Sequence, residues 1–373
     1  MLVIYSDKIV LPDKIFSGYI KIQDNYIQSI DKSITKEEEK YLTDLSGTNI
    51  MAGIININSN NMNKSDLYDM NTLRFTNKLR VIEYSYAAGG VSTLYHGINL
   101  SEKNIKSEHE KGKTMEIMQF IKDYNNSPIS LIDNKTHLKF QIHSVKTMDD
   151  VKLMLDENLL DFISYDLLTN YKNNNLYKDL YMQSFLQDEL NLTEEKADKV
   201  IERIRELRGE SNIDELAYLI KYAHFRGVKV CTSEYKSADK IYKEFKDTTD
   251  IITLTSENCK ENISKDIYFK LINTSKALEK CTDEYLSDGK VIISSDREPS
   301  ELLICLNKMA DKIGLKDAVK TATKNPADAL GIEDRGEIKE GNIADIIAFK
   351  TFDEEPIVVN MIKSGKEVFK INI

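Results

Sequence analysis

The sequence predicts an α/β protein: a closed (β/α)8 TIM barrel that carries a small β-sandwich formed by both chain ends. Eight strand-like runs alternate with helical segments in the middle of the chain, with the length and rhythm of such a barrel. Both ends of the chain have a β pattern instead. An open doubly wound sheet would need a glycine-rich phosphate turn after its first strand, and GIININSNN contains none.

The β pattern at the two ends has no helices between its strands. Apolar runs at residues 2–10, 18–22 and 26–30 include a tight turn, DN, before the third. After the last helix, the turns DRG and EGN precede strand-like runs at 345–350, 357–362 and 366–371. Packing together is the simplest way to bury their apolar faces, so we expect residues 1–50 and 337–373 to form one composite β-sandwich and residues 51–336 to form the barrel.

The barrel strands are expected at residues 50–58, 91–95, 137–143, 161–165, 228–232, 251–255, 267–272 and 291–295. Segments with helical spacing lie between them, at residues 73–88, 115–124, 213–224 and 302–313. One long helical insertion is expected near residues 180–207.

Composition and charge exclude several classes of protein. The chain has 373 residues, 41% hydrophobic and 30% charged, so a disordered or fibrous chain is excluded. Its net charge of −10 disfavours nucleic acid and anionic membranes as partners. There is no apolar run long enough to span a membrane, no apolar leader and no CxxC pair among the four cysteines. We therefore expect a cytoplasmic protein with reduced thiols.

The stretch TATKNPADALGIEDRGEIKEGNIADIIAFK carries the most specific signal. Asn325 is expected to cap a helix that begins at Pro326, and the spacing G-x-I-x-x-G-x-x-A-D follows at residues 336–345. This stretch resembles the C-terminal signature of the amidohydrolase superfamily. Shorter segments, such as MAGIININSNN, HLKFQI and SSDREPSELL, resemble the diphosphatase branch of phosphonate metabolism within it.

The resemblance implies a barrel of amidohydrolase type with one or two divalent metal ions at its C-terminal mouth, which would polarise the substrate and activate a water. The family pattern places metal ligands where this chain has Asn58 and Asn60 after the first strand, Gln141 on the third strand and Ser233 after the fifth. Only Asp296, at the end of the eighth strand, matches the pattern. Because amides and hydroxyls bind divalent transition metals weakly, we expect no metal centre and no other cofactor.

Three functions are compatible with these residues. The first is a divergent protein of hydrolase ancestry without the metal centre, hence a pseudoenzyme or a ligand-binding or regulatory protein. The alternative is an active hydrolase of a phosphorylated or amide substrate, with a relocated or reduced site of His96, His143 and Asp296 that binds Zn, Mn or Fe. The third is a structural partner whose barrel mouth is plugged by its own loops. Homo-oligomers are common in the superfamily, but no segment identifies an interface.

Two polar residues, Lys139 and Asp296, each allow two interpretations. Lys139 alternates with other polar residues along the third strand, so it can bind a small phosphorylated ligand or join an internal hydrogen-bond network with the asparagines of the first strand. Asp296 can act as the proton shuttle of a hydrolase, or it can cap the helix that follows it.

Overall fold

The computed structural model describes residues 1–62, 72–100, 108–141, 148–166, 187, 192–208, 213–233, 249–254, 267–271, 278–279, 281, 283–287, 289–296 and 298–372. The strands are β1 (Leu2–Val10), β2 (Ile15–Gln23), β3 (Tyr26–Asp31), β4 (Leu42–Asp44), β5 (Asn49–Ala52), β6 (Ile54–Asn56), β7 (Val91–Leu100), β8 (Asp133–Gln141), β9 (Phe162–Asp166), β10 (Lys229–Ser233), β11 (Ile251–Leu254), β12 (Tyr268–Leu271), β13 (Val291–Ile293), β14 (Ile346–Phe352), β15 (Glu355–Lys363) and β16 (Lys366–Lys370). The helices are α1 (Thr72–Ala88), α2 (Glu108–Asn125), α3 (Met148–Asp156), α4 (Glu194–Arg208), α5 (Ile213–Phe225), α6 (Asp283–Ser287), α7 (Pro299–Ile313), α8 (Leu315–Ala322) and α9 (Lys324–Leu330), with a 3-10 turn at Glu38–Tyr41.

Strands β6 to β13 form one parallel sheet in which the spatial order is the order of the chain. Each of the eight expected runs overlaps one of these strands, and helices follow several of them. The predicted barrel is therefore confirmed. Helix α4 coincides with the C-terminal part of the expected insertion, and residues 180–186 and 188–191 of that insertion fall outside the described residues. No helix in the described part of the chain is long and apolar enough to cross a membrane.

The side chains of each barrel strand alternate between the interior and the helical layer. On β8, Leu138 and Phe140 join the apolar cluster of the helices, whereas His137 and Lys139 face the interior. The interior cluster is apolar near the floor of the barrel, where its members come from most of the strands and from α9 (Ile55, Ile57, Tyr95, Phe162, Cys231, Ile251, Ile292, Ala327 and Ala329). The polar interior residues consequently concentrate above it.

The first and last strands of the barrel meet through the side chain of Asn56. Its Nδ2 donates to the carbonyl of Ser295 at 2.9 Å, and its Oδ1 accepts from Ser294 Oγ at 3.1 Å and from the Ser295 amide at 3.3 Å. The sheet order contains no backbone ladder between β6 and β13 among the described residues. A buried side-chain amide therefore supplies the polar contacts that close the barrel.

The remaining strands form a mixed sheet from both chain ends, in the order β16-β15-β14-β5-β1-β2-β3, with β4 beside β1. One face buries an apolar cluster of its own strands, including Ile4, Ile20, Ile50 and Ile346. The other face of β14 and β15 packs against the barrel helices. The composite domain is confirmed, as one continuous hydrogen-bonded sheet. Its residue limits stay a prediction.

Four charged residues tie this sheet to the barrel. Lys363 Nζ lies 2.9 Å from Asp345 Oδ2 and 3.1 Å from Asp133 Oδ2, and Arg335 also pairs with both carboxylates. Burial lowers the pKa of Lys363, while the charge of Asp345 acts in the opposite direction. Asp133 begins β8, so this cluster fixes the position of that strand relative to the end sheet.

The expected cap at Asn325 is wrong. Helix α9 begins at Lys324, after Thr323, and Asn325 lies inside its first turn. The Asn325 amide donates to the carbonyl of Val291 at 2.7 Å, which anchors α9 to β13. Asn325 is nearly fully buried, so its amide needs this internal acceptor instead of acting at a helix end.

Candidate functional site

The candidate site lies at the C-terminal mouth of the barrel, where the segment after β6 meets the end of β13. The amide of Asn58 donates to the carboxylate of Asp296. The backbone N–H of Asn60 donates to the Asp296 carbonyl at 2.6 Å. The side-chain oxygen of Asn60 accepts a hydrogen bond from Lys139 Nζ. These contacts bring together Asn58, Asn60, Lys139 and Asp296, four of the residues expected at the site.

Asp296 does not act as a helix cap. Helix α7 has Glu298 as its N-cap, without a capping side-chain hydrogen bond. Instead, Ser295 Oγ accepts from the Glu298 amide at 3.2 Å, and the Asp296 carboxylate is engaged by Asn58. The carboxylate of Asp296 is thus held at the barrel mouth.

Lys139 reaches the mouth by lying across Gly97 on the neighbouring strand. A Cβ atom at position 97 would lie 2.6 Å from Lys139 Cε, closer than real Cβ atoms come to other atoms, and 3.0 Å from Lys139 Nζ. Gly97 also donates its N–H to the carbonyl of Ser59 at 3.0 Å. The absence of a side chain at Gly97 therefore makes room for the lysine. Burial lowers the pKa of Lys139 to about 8, partly offset by the charge of Asp296.

A second lysine, Lys270, enters the interior from β12 and is 4% exposed. Its charge acts on Lys139, on His137 and on Cys231, whose thiol pKa is raised by burial. Lys270 and Gly97 are absent from the residues that the sequence led us to expect here. The available signal was a lysine inside the short apolar run YFKL, since a charge in a buried strand needs a ligand or a partner.

Neither His96 nor His137 belongs to the group formed by Asn58, Asn60, Lys139 and Asp296. His96 points away from the barrel interior, and His137 lies deeper within it. His96 has 0% exposure and faces the helical layer, where its Nε2 lies 2.8 Å from Asn134 Oδ1. Asn134 in turn donates to Glu83 on α1 at 2.8 Å. His96 therefore points away from the interior face that carries Gly97, and the structure does not bring it to Asp296. His137 faces the interior, with Nε2 2.8 Å from Ser164 Oγ.

Burial keeps both of these histidines neutral. It lowers the pKa of His96 to about 4 and the pKa of His137 well below its ordinary value. In each ring, Nδ1 is buried and has no hydrogen-bond partner within the described part of the chain. His143 lies outside the described residues. Gln141 and Ser233 end β8 and β10, but their side chains also fall outside what the structure describes.

The described residues of the mouth do not fit a divalent transition metal. Asn58 and Asn60 offer amides, one already donating to Asp296 and the other accepting from an ammonium group. Within the described ranges, no group of three His, Cys, Asp or Glu residues is arranged to hold a metal ion. The ammonium group of Lys139, which is hydrogen-bonded to Asn60, also repels a metal cation.

A cavity of about 390 Å³ lies at the opposite, N-terminal end of the barrel. Tyr95 and Lys135, which pair across β7 and β8, contribute to its lining together with Arg335. Lys135 and Lys139 therefore share one strand and one face but stand at different ends of the barrel, roughly 13 Å apart at the rise of an extended strand.

Comparison with known proteins agrees with this architecture. Residues 193–368 match the model of the amidohydrolase family. The resemblance to the amidohydrolase superfamily is confirmed. An 82-residue segment is 40% identical to the alpha-D-ribose 1-methylphosphonate 5-triphosphate diphosphatase of Escherichia coli (strain K12), covering 21% of this chain and 22% of the relative. The match thus spans about a fifth of that curated protein.

Solved structures in the superfamily share the fold over nearly the whole chain. The N-acetylglucosamine-6-phosphate deacetylase of Pasteurella multocida has a TM-score of 0.63 at 12% identity and covers 98% of this chain and 99% of its own. Ochratoxinase of A. niger has a TM-score of 0.61 at 12% identity, covering 100% and 96%. At such identities the likeness establishes the fold alone.

Proposed function

We propose that this chain is a metal-independent, ligand-binding or regulatory relative of the amidohydrolases that binds a small phosphorylated ligand at the barrel mouth. The observation that carries the proposal is the position of Lys139. Its ammonium group contacts Asn60, at one of the positions where the family pattern places a metal ligand. A lysine thus brings positive charge to the mouth without an ion.

The charges of the described mouth favour an anion. Lys139 and Lys270 come from β8 and β12, and Asp296 is the carboxylate that acts on Lys139. Positive charge therefore exceeds negative charge within this group. A phosphate group offers several acceptor oxygens to such ammonium donors, and charge-assisted hydrogen bonds of this kind are stronger than neutral ones. The phosphonate-metabolism relative and the sugar-phosphate deacetylase, by their names, act on phosphorylated molecules.

The test is calorimetric titration of the purified chain with ribose 5-phosphate, before and after treatment with a chelator, together with elemental analysis. We expect a single binding event that the chelator does not change. Lys139→Met should weaken binding by roughly tenfold, which corresponds to about 1.4 kcal/mol for a lost charge-assisted hydrogen bond. Lys135→Met is the matched control, on the same strand and face, and should change affinity less than twofold.

Three outcomes would contradict the proposal. Stoichiometric zinc, manganese or iron with loss of binding on chelation would restore the metal-dependent hydrolase as the function. A loss of binding in Lys135→Met but not in Lys139→Met would place the ligand in the N-terminal cavity. An absence of binding in the wild-type chain would reject a phosphorylated ligand.

A further inference from the structure

We propose that Lys139 is a carbonyl-reactive amine, which forms an imine with a small phosphorylated aldehyde or ketone in the barrel mouth. This inference rests on the proposed function, because it assigns the chemical class of the ligand that the same mouth binds. It adds a covalent step that neither the fold nor the family match implies.

The surroundings of Lys139 differ from those of an ion-paired lysine. Its hydrogen-bond acceptor is the neutral amide of Asn60, and the carboxylate that acts on its charge, Asp296, is itself engaged by the amide of Asn58. The contact with Gly97 lays the side chain across β7 and holds the amine at the mouth. A neutral acceptor stabilises the ammonium form less than a carboxylate does, so the amine is free to act as a nucleophile.

A second cation reinforces this state. Lys270 is buried on β12, and its charge acts on Lys139. A desolvated lysine beside another cationic group is the general arrangement that activates an amine for imine formation.

The step balances without an oxidant or a reductant. The lone pair of neutral Lys139 Nζ attacks the carbonyl carbon, the C–N bond forms, and the carbonyl π electrons move to oxygen. Transfer of a proton from nitrogen to that oxygen gives a carbinolamine. Departure of the hydroxyl group with a second proton as water leaves the C=N bond. The phosphate of the carbonyl compound remains available to pair with the ammonium group of Lys270.

The experiment uses the full chain and substoichiometric pyridoxal 5′-phosphate, a phosphorylated aldehyde, followed by borohydride reduction and peptide mapping by mass spectrometry. Reduction converts each imine to a stable secondary amine. We expect the occupancy at Lys139 to exceed that at Lys135 at least tenfold, a comparison made within one molecule that needs no variant. Inorganic phosphate should lower the labelling of Lys139, and unphosphorylated pyridoxal should label it less.

A variant separates covalent reaction from anion binding. Lys139→Arg keeps the positive charge but cannot form an imine, so it should lose the adduct, and the ribose 5-phosphate affinity that it keeps reports anion binding alone. Equal labelling of Lys139 and Lys135 overturns the inference. If ribose 5-phosphate binds but no adduct forms at Lys139, the imine is rejected and the proposed function stands. An adduct at Lys139 that phosphate does not displace supports the imine and rejects the phosphate-binding part of the proposed function.

Discussion

Acid should destabilise this protein through His96, a histidine that the fold keeps neutral. Asn134 donates its amide hydrogens to Glu83, Ser130 and the Ile132 carbonyl, so its Oδ1 is the acceptor that faces His96. His96 therefore donates through Nε2. A second proton would bind at its buried Nδ1, which faces no hydrogen-bond acceptor among the described residues. Protonation would place a positive charge, with no acceptor for its Nδ1 proton among the described residues, in the buried layer between β7 and α1.

The sign and size of the effect follow from the two pKa values. The ordinary pKa of histidine is 6.5, and burial lowers that of His96 to about 4. Between these values the unfolded chain binds more protons than the folded chain, so stability falls as the pH falls. The contribution of His96 is complete above pH 6.5. Going from pH 7 to pH 5 should remove about 2 kcal/mol of unfolding free energy through this residue.

The assay is urea unfolding at pH 7 and pH 5, compared between the wild type and His96→Gln. Glutamine keeps a donor for Asn134 but does not titrate, so the variant should lose about 2 kcal/mol less than the wild type over this interval. Ile98→Val is the matched control, a buried residue on the same face of β7 that loses one methyl group. It should lower stability by about 1 kcal/mol at both pH values. Equal pH dependence in wild type and His96→Gln would refute the reasoning.

Two further predictions concern the polar groups that join parts of the fold. Asn56→Ala removes three hydrogen bonds across the β6–β13 seam and should cost about 3 kcal/mol in urea unfolding. Asn307→Ala, at a half-buried residue with a hydrogen bond of 3.4 Å to the Glu354 carbonyl, should cost less than about 1 kcal/mol. Equal effects would show that the seam does not depend on the Asn56 side chain. Lys363→Met leaves Asp345 buried with one cation fewer and should also cost about 3 kcal/mol, against little for the exposed Lys366→Met. A stable Lys363→Met variant would show that Arg335 alone balances Asp345.

The sequence was sufficient to predict the barrel, because the periodicity of apolar residues and the spacing of the segments are local properties of the chain. Alternation of short apolar strands with amphipathic helices placed all eight barrel strands, and the β pattern at both ends predicted the shared sheet. The capping preference of a residue was less informative about where a helix begins. Asn325 has the residue type of a cap, but burial against β13 gave its amide another acceptor.

The candidate site was predicted only where it depends on strand position. The ends of β6 and β13 face each other in any closed barrel, so Asn58, Asn60 and Asp296 could be expected together. His96 was expected at the mouth because it follows the second predicted strand. In the structure β7 continues to Leu100, and the alternation of its side chains turns His96 toward the helices. A shift of one residue in this alternation decides whether a side chain faces the interior or the helices, and it cannot be predicted from a short apolar run.

The order of strands in the end sheet has a consequence for synthesis on the ribosome. Strand β5 lies between β1, made shortly before it, and β14, which is translated almost three hundred residues later. The early strands must therefore persist with an unpaired edge while the whole barrel emerges. Contacts of such long sequence separation form slowly, and unpaired edges invite association between chains. Nascent chains that stop before residue 346 should accordingly be targets for chaperones, even when their barrel segment is complete.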